Sequence, residues 1–372
     1  MPPLSVMIKP ASSGCQLNCS YCFYRDLAKK RRVVDHGEMS PDTLETIVRK
    51  ALHHAEGSCS FVFQGGEPML VGLSFFQHLL TFQEKHTPKG LMIHNAIQTN
   101  GLFIDARWAH FLADARFLVG LSLDGHAFIH DQNRRYADGS GTHEKAMAAA
   151  DYLRRAGVRF NVLSVVTKDS AKHPEKIYRF LLDAGFHHLQ FIPCLGPIGS
   201  DDRGGLGSAL SPASYGKFLK AMFDLWHHDR LQGRAVSIRY FDNLLGMLAG
   251  YPPESCGLSG ICACQYVIEA DGSVYPCDFY ALDRWYMGNI VTDNFDSLAT
   301  SPACLAFIAE SRALPDSCRA CKWLKLCNNG CKRNRDPDGK NHFCESYRDF
   351  FAYAWERLGA GAMRPAYLQT AL

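Results

Sequence analysis

The sequence predicts an α/β protein. A partial (β/α)6 barrel of the TIM-like kind is expected over residues 1–232, followed by a cysteine-rich domain over 233–372. Three observations predict it. Short apolar runs alternate with runs of helical period through the first part of the chain. The stretches that look chemical fall where the apolar runs end. Most of the fifteen cysteines lie beyond residue 255. Alternation of this kind argues for a parallel sheet flanked by helices. At 372 residues, 47% hydrophobic and 12% aromatic, the chain can bury one large core and a smaller one.

The elements follow in order. A first strand runs from about Leu4 to Lys9. Ser40 and Pro41 read as the N-cap and first residue of a helix, and Leu44, Ile47, Val48, Ala51, Leu52 and Ala55 recur at helical spacing until Gly57 ends the run. "CSFVF" then reads as a buried strand ending in "QGGEP", and "LMIHNAI" as a strand ending in "QTNG". A helix from about Asp105 leads to "FLVGLSL" and "DG". A helix closing at Gly157 leads to "RFNVLSVVT", and one closing at Gly185 leads to "HHLQFI" and "PCLGP". Six such units are too few for a closed eight-stranded barrel. The glycine-rich stretch Gly196 to Pro212 is expected to be a mobile loop near the mouth.

Charge and composition exclude several roles. A formal charge of +3 with a pI near 8.1 gives no electrostatic reason to expect nucleic acid or an anionic membrane as partner. The basic run Lys29-Lys30-Arg31-Arg32 reads as a solvated surface segment. The N-terminal residues show no charged region followed by an apolar one, and no window approaches the ~18 apolar residues of a membrane span. A cytoplasmic location is therefore expected, and in a reducing compartment clustered cysteines bind metal more often than they form disulfides. The paired histidines at 53-54, 187-188 and 227-228 lack metal-ligand spacing and read as structural or surface residues.

Ligands of parallel α/β proteins bind beyond the carboxyl ends of the strands. Cys15, Cys19 and Cys22, spaced C-x3-C-x2-C, follow the first strand. Gln64 to Pro68 follow the second, Gln98 to Asn100 the third, Ser122 to Asp124 the fourth and Pro193 to Leu195 the sixth. Three thiolates in one loop suit zinc or an iron-sulfur cluster and leave one position open for a small molecule.

The cysteine loop, with Tyr21 as its aromatic residue, resembles that of the radical S-adenosylmethionine (SAM) enzymes, and "GGEP" at Gly65 to Pro68 is similar to their second motif. The resemblance implies that Cys15, Cys19 and Cys22 hold a 4Fe-4S cluster whose open iron takes the amino and carboxylate groups of SAM. It further implies that the backbone of Gly65, Gly66 and Glu67 meets the SAM amino group and that Ser122 and Arg134 approach its carboxylate. Tyr21 and the backbone at Leu195 would flank the adenosine, and Gln98 and Asn100 would line the pocket.

Farther along, Cys262, Gly272 and Cys277 read C-x9-G-x4-C, and Cys318, Cys321, Cys327 and Cys331 read C-x2-C-x5-C-x3-C, followed by Cys344. This resembles the SPASM extension of peptide-modifying radical SAM proteins. It implies one auxiliary cluster on Cys256, Cys262, Cys277 and Cys331 and another on Cys318, Cys321, Cys327 and Cys344. Cys59, Cys194, Cys264 and Cys304 are left over, and Cys59 and Cys194 read as packing residues.

Over essentially the whole chain, from "IKPASSGCQLNCSYCFY" to "DGSVYPCDFY" and the final cysteines, the sequence resembles the anaerobic sulfatase-maturating enzymes. That resemblance implies radical oxidation of a Cys or Ser in a sulfatase, within a Cys/Ser-x-Pro/Ala-x-Arg type motif, to formylglycine. Flavodoxin or ferredoxin would serve as reductant. It implies Asp278 as the base that takes the target's proton and Tyr24 as a substrate-facing residue. Three rivals remain: modification of a ribosomal natural-product precursor by thioether formation, cross-linking or epimerisation; a zinc-binding interaction protein; and a nucleic-acid-modifying radical SAM enzyme, which leaves the later cysteines unexplained.

If the cysteine sets are as inferred, protein reconstituted without oxygen should hold ~12 iron atoms, three clusters with three or four thiolates each. Replacing Cys15, Cys19 and Cys22 by Ala should remove about a third of that iron and all SAM cleavage. Stoichiometric zinc with no iron uptake would overturn the assignment.

Overall fold

In the computed structural model, which describes residues 3–198 and 209–362, each of the first six strands precedes a helix. β1 (Leu4–Ile8) leads to α1 (Phe23–Lys29) and α2 (Pro41–His54), and β2 (Ser58–Phe63) to α3 (Leu73–His86). β3 (Met92–Thr99) leads to α4 (Ala106–Asp114), and β4 (Leu118–Ser122) to α5 (Ala127–Asn133) and α6 (His143–Arg155). β5 (Arg159–Val166) leads to α7 (Pro174–Asp183), and β6 (His188–Pro193) to α8 (Pro212–Leu231). The signals that predicted α2 act as expected. Ser40 accepts the Thr43 N–H at 3.1 Å, Pro41 opens the helix, and Leu44, Ile47, Val48, Ala51 and Leu52 are buried.

The chain packs as two compact units, neither of them continuous in sequence. The first comprises Met1–Ser122, Arg134–Phe160 and Ala263–Ile308, and the second Leu123–Asn133, Asn161–Cys262 and Ala309–Leu372. In the second unit β5, β6 and the short β7 (Ser237–Ile238) pair in parallel. There α8, α9 (Arg239–Leu248) and α15 (Cys344–Ala362) share a core of buried aromatic rings, with Phe241 and Phe350 centroids 5.7 Å apart and Phe223 and Trp226 5.6 Å apart.

In the first unit the strand order is β10-β9-β8-β1-β2-β3-β4, where β8 is Val267–Ile268, β9 Ser273–Tyr275 and β10 Gly288–Asn289. β8 lies parallel to β1 with Ile8 opposite Ile268, and β2 lies on the other side with Ile8 opposite Phe63. This register matters for the site, because it sets the residues just past the strand ends side by side: Lys9 N–H donates to Ile268 O at 2.8 Å and Gln64 N–H to Ile8 O at 3.0 Å. Lys9, Gln64 and Glu269 thus leave neighbouring strands together. The strand β8 was not among the elements read from sequence.

One surface expectation is corrected. Lys29, Lys30 and Arg32 are exposed, but Arg31 is only 7% exposed and its guanidinium meets the buried carboxylate of Glu269. Burial of the guanidinium is tolerated because a carboxylate pairs with it. Most of the glycine-rich stretch Gly196 to Pro212 lies outside the described residues. Among the described residues no helix is long and apolar enough to cross a membrane.

The segment after Arg31 is fixed to β9's leading turn by His36, whose Nδ1 is 2.9 Å from Asp271 Oδ2. The contact with Asp271 raises the imidazole's pKa. Burial works the other way on Asp271, but the His36 contact and the Ser273 donors hold that carboxyl down to about 2. The raised histidine contributes stability below its unfolded value near ~6.5 and loses it as pH rises through the folded value; the depressed aspartate contributes above ~4 and loses it as pH falls towards about 2. Thermal melts should therefore show the largest difference between wild type and His36→Gln between about pH 4 and pH 6.5, of at most about 1 kcal/mol for so exposed a pair. A difference that grows above pH 8 would contradict the assignment.

Candidate active site

The cysteine loop is shaped by its own backbone and by the glycine turn after β2. Ser12 adopts a left-handed φ of 48°, and Gly14 N–H closes a turn onto Ala11 O at 2.8 Å. Gly66 N–H donates to Ser12 O at 3.1 Å and Glu67 N–H to Gly14 O at 2.7 Å. A Cβ at Gly66 would lie 2.0 Å from Gly14 O, so no other residue allows this approach. Glu67 itself turns inwards. Its Oε1 accepts the Thr99 hydroxyl at 2.8 Å and Met69 N–H at 3.1 Å, and its Oε2 accepts Asn100 N–H at 2.9 Å. Burial lifts its pKa to about 7 against these donors, and the side chain braces the ends of β2 and β3.

Cys15 is exposed at the tip and Cys19 and Cys22 are half-buried. Leu17 N–H donates to Cys15 Sγ at 3.4 Å, and Asn100 Nδ2 is 3.9 Å from the same sulfur. Although the residue as a whole is exposed, the protein packed around its sulfur pushes the Cys15 thiol up to about 12, and the charges of Glu67, Cys19 and Cys22 act in the same direction. The Arg134 guanidinium lies 5.4 Å over the ring of buried Tyr21. Gln98 Nε2 donates to Ser122 Oγ at 3.0 Å, joining the ends of β3 and β4. Leu195 lies past β6 in the second unit.

Asp278 opens a short turn, Asp278–Tyr280, directly after Cys277, and is 5% exposed. Tyr24 OH donates to its Oδ2 at 2.5 Å, and Gln64 Nε2 lies 3.2 Å from the same oxygen and 2.8 Å from the Tyr24 hydroxyl. Oδ1 receives no hydrogen bond among the described residues. Burial raises the Asp278 carboxyl above the usual range, opposed first by the Lys9 ammonium and then by the Tyr24 hydroxyl. Burial and the Asp278 charge together push the Tyr24 phenol well above its ordinary value. The two residues inferred for catalysis are thus in direct contact.

The remaining cysteines divide between the units. In the second, Cys331 is pushed up to about 11 by burial, with the charges of Cys256 and Cys262 adding to it, so these three thiols are neighbours; Cys277 belongs to the first unit. Cys318, Cys321, Cys327 and Cys344 all line one cavity of about 50 Å³. Arg335 ties the surrounding loops together, donating to Ser311 O and Gly260 O at 2.6 Å and to Gly330 O at 3.1 Å. Among the described residues no three His, Cys, Asp or Glu side chains draw around a single-ion position, as a tetrahedral zinc with bonds of about 2.3 Å requires. Cys59 and Cys194 are buried.

Comparison with known proteins agrees with this geometry. Residues 10–181 match the radical SAM superfamily and residues 261–322 an iron-sulfur cluster-binding domain. The cysteine-type anaerobic sulfatase-maturating enzyme of Clostridium perfringens (strain 13 / Type A) is 48% identical over 363 residues, covering 96% of this chain and 98% of the relative. The chain belongs to the anaerobic sulfatase-maturating enzymes. A serine-type member of this family, from Bacteroides thetaiotaomicron, is 30% identical over 94% of this chain and 89% of its own. The solved structure of native anSMEcpe with bound AdoMet and Kp18Cys peptide superimposes with a TM-score of 0.93 at 46% identity, covering 97% of this chain and 99% of that one.

The protein is accordingly a radical SAM oxidoreductase with the α/β fold expected, and its cofactors are SAM and 4Fe-4S clusters. The residues present fit those groups. Sets of three and four thiols are the soft donors that hold such clusters, and one cavity is lined by the four thiols of Cys318, Cys321, Cys327 and Cys344.

Sequence reading missed Lys9, which lies beside Asp278, and the Glu269 that Lys9 and Arg31 share, and had Gln64 only as part of its motif. One signal was present: Lys9 and Glu269 are lone charged residues directly after the buried runs "LSVMI" and "VI".

Because the Gly66 contact is backbone against backbone, Gly66→Ala should displace Ser12 to Cys15. Iron should fall by about a third while the later clusters persist. Full iron and unchanged SAM cleavage in this variant would show that the turn yields without consequence.

Proposed function

We propose that this enzyme oxidises a cysteine side chain in a sulfatase polypeptide to formylglycine without oxygen, with Asp278 accepting the target's proton. The observation that carries the reading is the buried carboxylate beside Cys277, fixed through Oδ2 by Tyr24 and Gln64, with no hydrogen bond to Oδ1 among the described residues. Cysteine is favoured over serine as the target because the cysteine-type relative is 48% identical and the serine-type relative 30%.

In this reading Cys15, Cys19 and Cys22 hold the SAM cluster. Cys256, Cys262, Cys277 and Cys331 hold one auxiliary cluster, and Cys318, Cys321, Cys327 and Cys344 the other. Bound SAM supplies the carbon radical that removes a hydrogen atom from Cβ of the target. Gly65, Gly66 and Glu67 present backbone to the SAM amino group, Ser122 and Arg134 face its carboxylate, and Tyr21 and Leu195 flank the adenosine. Gln98 and Asn100 line the remaining polar wall. Asp278 then takes the S–H proton, one electron leaves the substrate for the auxiliary cluster proposed on Cys256, Cys262, Cys277 and Cys331, and a thioaldehyde results. Water replaces its sulfur, giving the aldehyde and hydrogen sulfide. Tyr24, hydrogen-bonded to Oδ2, keeps the carboxylate turned towards the target. The functional division is into residues 1–232 for SAM chemistry and 233–372 for the auxiliary clusters. A cytoplasmic location and a flavodoxin or ferredoxin as electron donor belong to the same proposal.

A peptide carrying a Cys-x-Pro-x-Arg type motif should lose about 18 Da and react with a hydrazine when incubated with enzyme, SAM and reductant. In Asp278→Asn, 5'-deoxyadenosine should still form while aldehyde falls by ~10²-fold or more. Full iron with near-wild-type aldehyde in that variant would remove Asp278 from the mechanism, and an unchanged peptide despite SAM consumption would remove the proposed substrate.

A further inference from the structure

Lys9 is placed where its charge meets the base, and the glycine turn makes room for it. Gly65 has a φ of 133°, and a Cβ there would lie 3.3 Å from Lys9 Cβ and 3.4 Å from Lys9 Cε. The Lys9 stem therefore packs directly under Gly65. Its ammonium is 2.9 Å from Glu269 Oε1, 3.9 Å from Asp278 Oδ1 and 4.9 Å from the centroid of the Tyr24 ring. Arg31 holds the same Glu269 oxygen from another side. Two buried cations thus stand against two buried carboxylates.

The two oxygens of Asp278 differ in what they meet. Oδ2 is engaged by Tyr24 and Gln64, whereas Oδ1 faces the Lys9 ammonium beyond hydrogen-bond reach. A carboxylate held at only one oxygen can swing about its Cβ–Cγ bond, which tilts its plane. A positive charge on the second side opposes that rotation. If the ammonium came closer, it would occupy the lone pairs that a proton needs; tethered to Glu269 it does not.

We infer that Lys9, tethered by Glu269, is a positioning residue that holds the Asp278 carboxylate from its Oδ1 side, opposite Tyr24 and Gln64 on Oδ2, in the orientation in which it takes the target's proton. This rests on Asp278 being the base. The readout is the number of aldehydes formed per 5'-deoxyadenosine, measured beside iron content and SAM affinity. In Lys9→Met, which keeps most of the stem, iron and SAM affinity should stay at wild-type values. The ratio should fall about tenfold, since misplacing a reacting group by ~1 Å costs up to ~10²-fold. Lys9→Arg should recover at least part of the ratio. Glu269→Gln, which frees the ammonium, should lower it as well and decides the matter if Lys9→Met does not fold.

A wild-type ratio in Lys9→Met, or in Glu269→Gln, would overturn the inference. So would a parallel loss of iron, SAM cleavage and aldehyde at constant ratio, which marks a structural role. A lowered ratio in Asp278→Asn with a normal one in Lys9→Met would overturn the role of Lys9 alone. A normal ratio in Asp278→Asn would overturn both.

Discussion

Burying Asp278 near Glu269 places two carboxylates in one desolvated space, where each makes the other harder to ionise. The cost is met by Lys9 and Arg31, both themselves buried. Burial would raise Glu269, but Lys9 and Arg31 pull it below its ordinary value, so it serves as a fixed anion between the cations. Much of the first unit follows from that neutralisation. β8 must lie beside β1 for Glu269 to meet Lys9, and Arg31 must turn inwards from an otherwise exposed basic run. Residue 65 has a φ of 133°, which favours glycine, and a Cβ there would crowd Ser12 O at 3.1 Å and the Lys9 stem at 3.3 Å.

A second dependence runs through the glycine turn. Gly66 and Glu67 are hydrogen-bonded to the chain immediately before Cys15, while the Glu67 carboxylate clamps Thr99 and Asn100. The ends of β1, β2 and β3 are therefore set by shared backbone groups rather than by independent loops. This explains why motifs far apart in sequence act as one site: each supplies hydrogen bonds that another leaves unmet. The glutamate of "GGEP" is a brace, its carboxylate engaged by Thr99, Met69 and Asn100.

The first six strands were legible because each is a short apolar run closed by turn residues, and α2 because its cap and period agree. The cysteine spacings were legible because spacing is a local property, whereas the division of the cysteines into clusters came from resemblance; the structure brings Cys318, Cys321, Cys327 and Cys344 to one cavity. The proximity of Tyr24 and Asp278 followed from resemblance, not from spacing: 254 residues separate them. Arg31 was misread because a charged run carries no sign of which member turns inwards; that depends on Glu269, far along the chain. β8 was missed because two residues, Val267 and Ile268, are too few to show a period.

The last helix carries a consequence for the life of the newly made chain. Cys344 opens α15, and the helix is fastened to α8 by Ser346 Oγ on Pro212 O at 2.6 Å and by Asp349 on Lys220 at 2.6 Å. A thiol proposed here as an iron ligand is thus the first residue of the helix that closes one core. Metal uptake and completion of that core are one event thermodynamically, because whatever binds the folded form alone adds its binding energy to folding. A cell short of iron would accumulate chains whose C-terminal helix is loosely held, and proteases act on such ends first. Enzyme abundance would then follow iron supply with no dedicated regulator, through survival of the polypeptide itself.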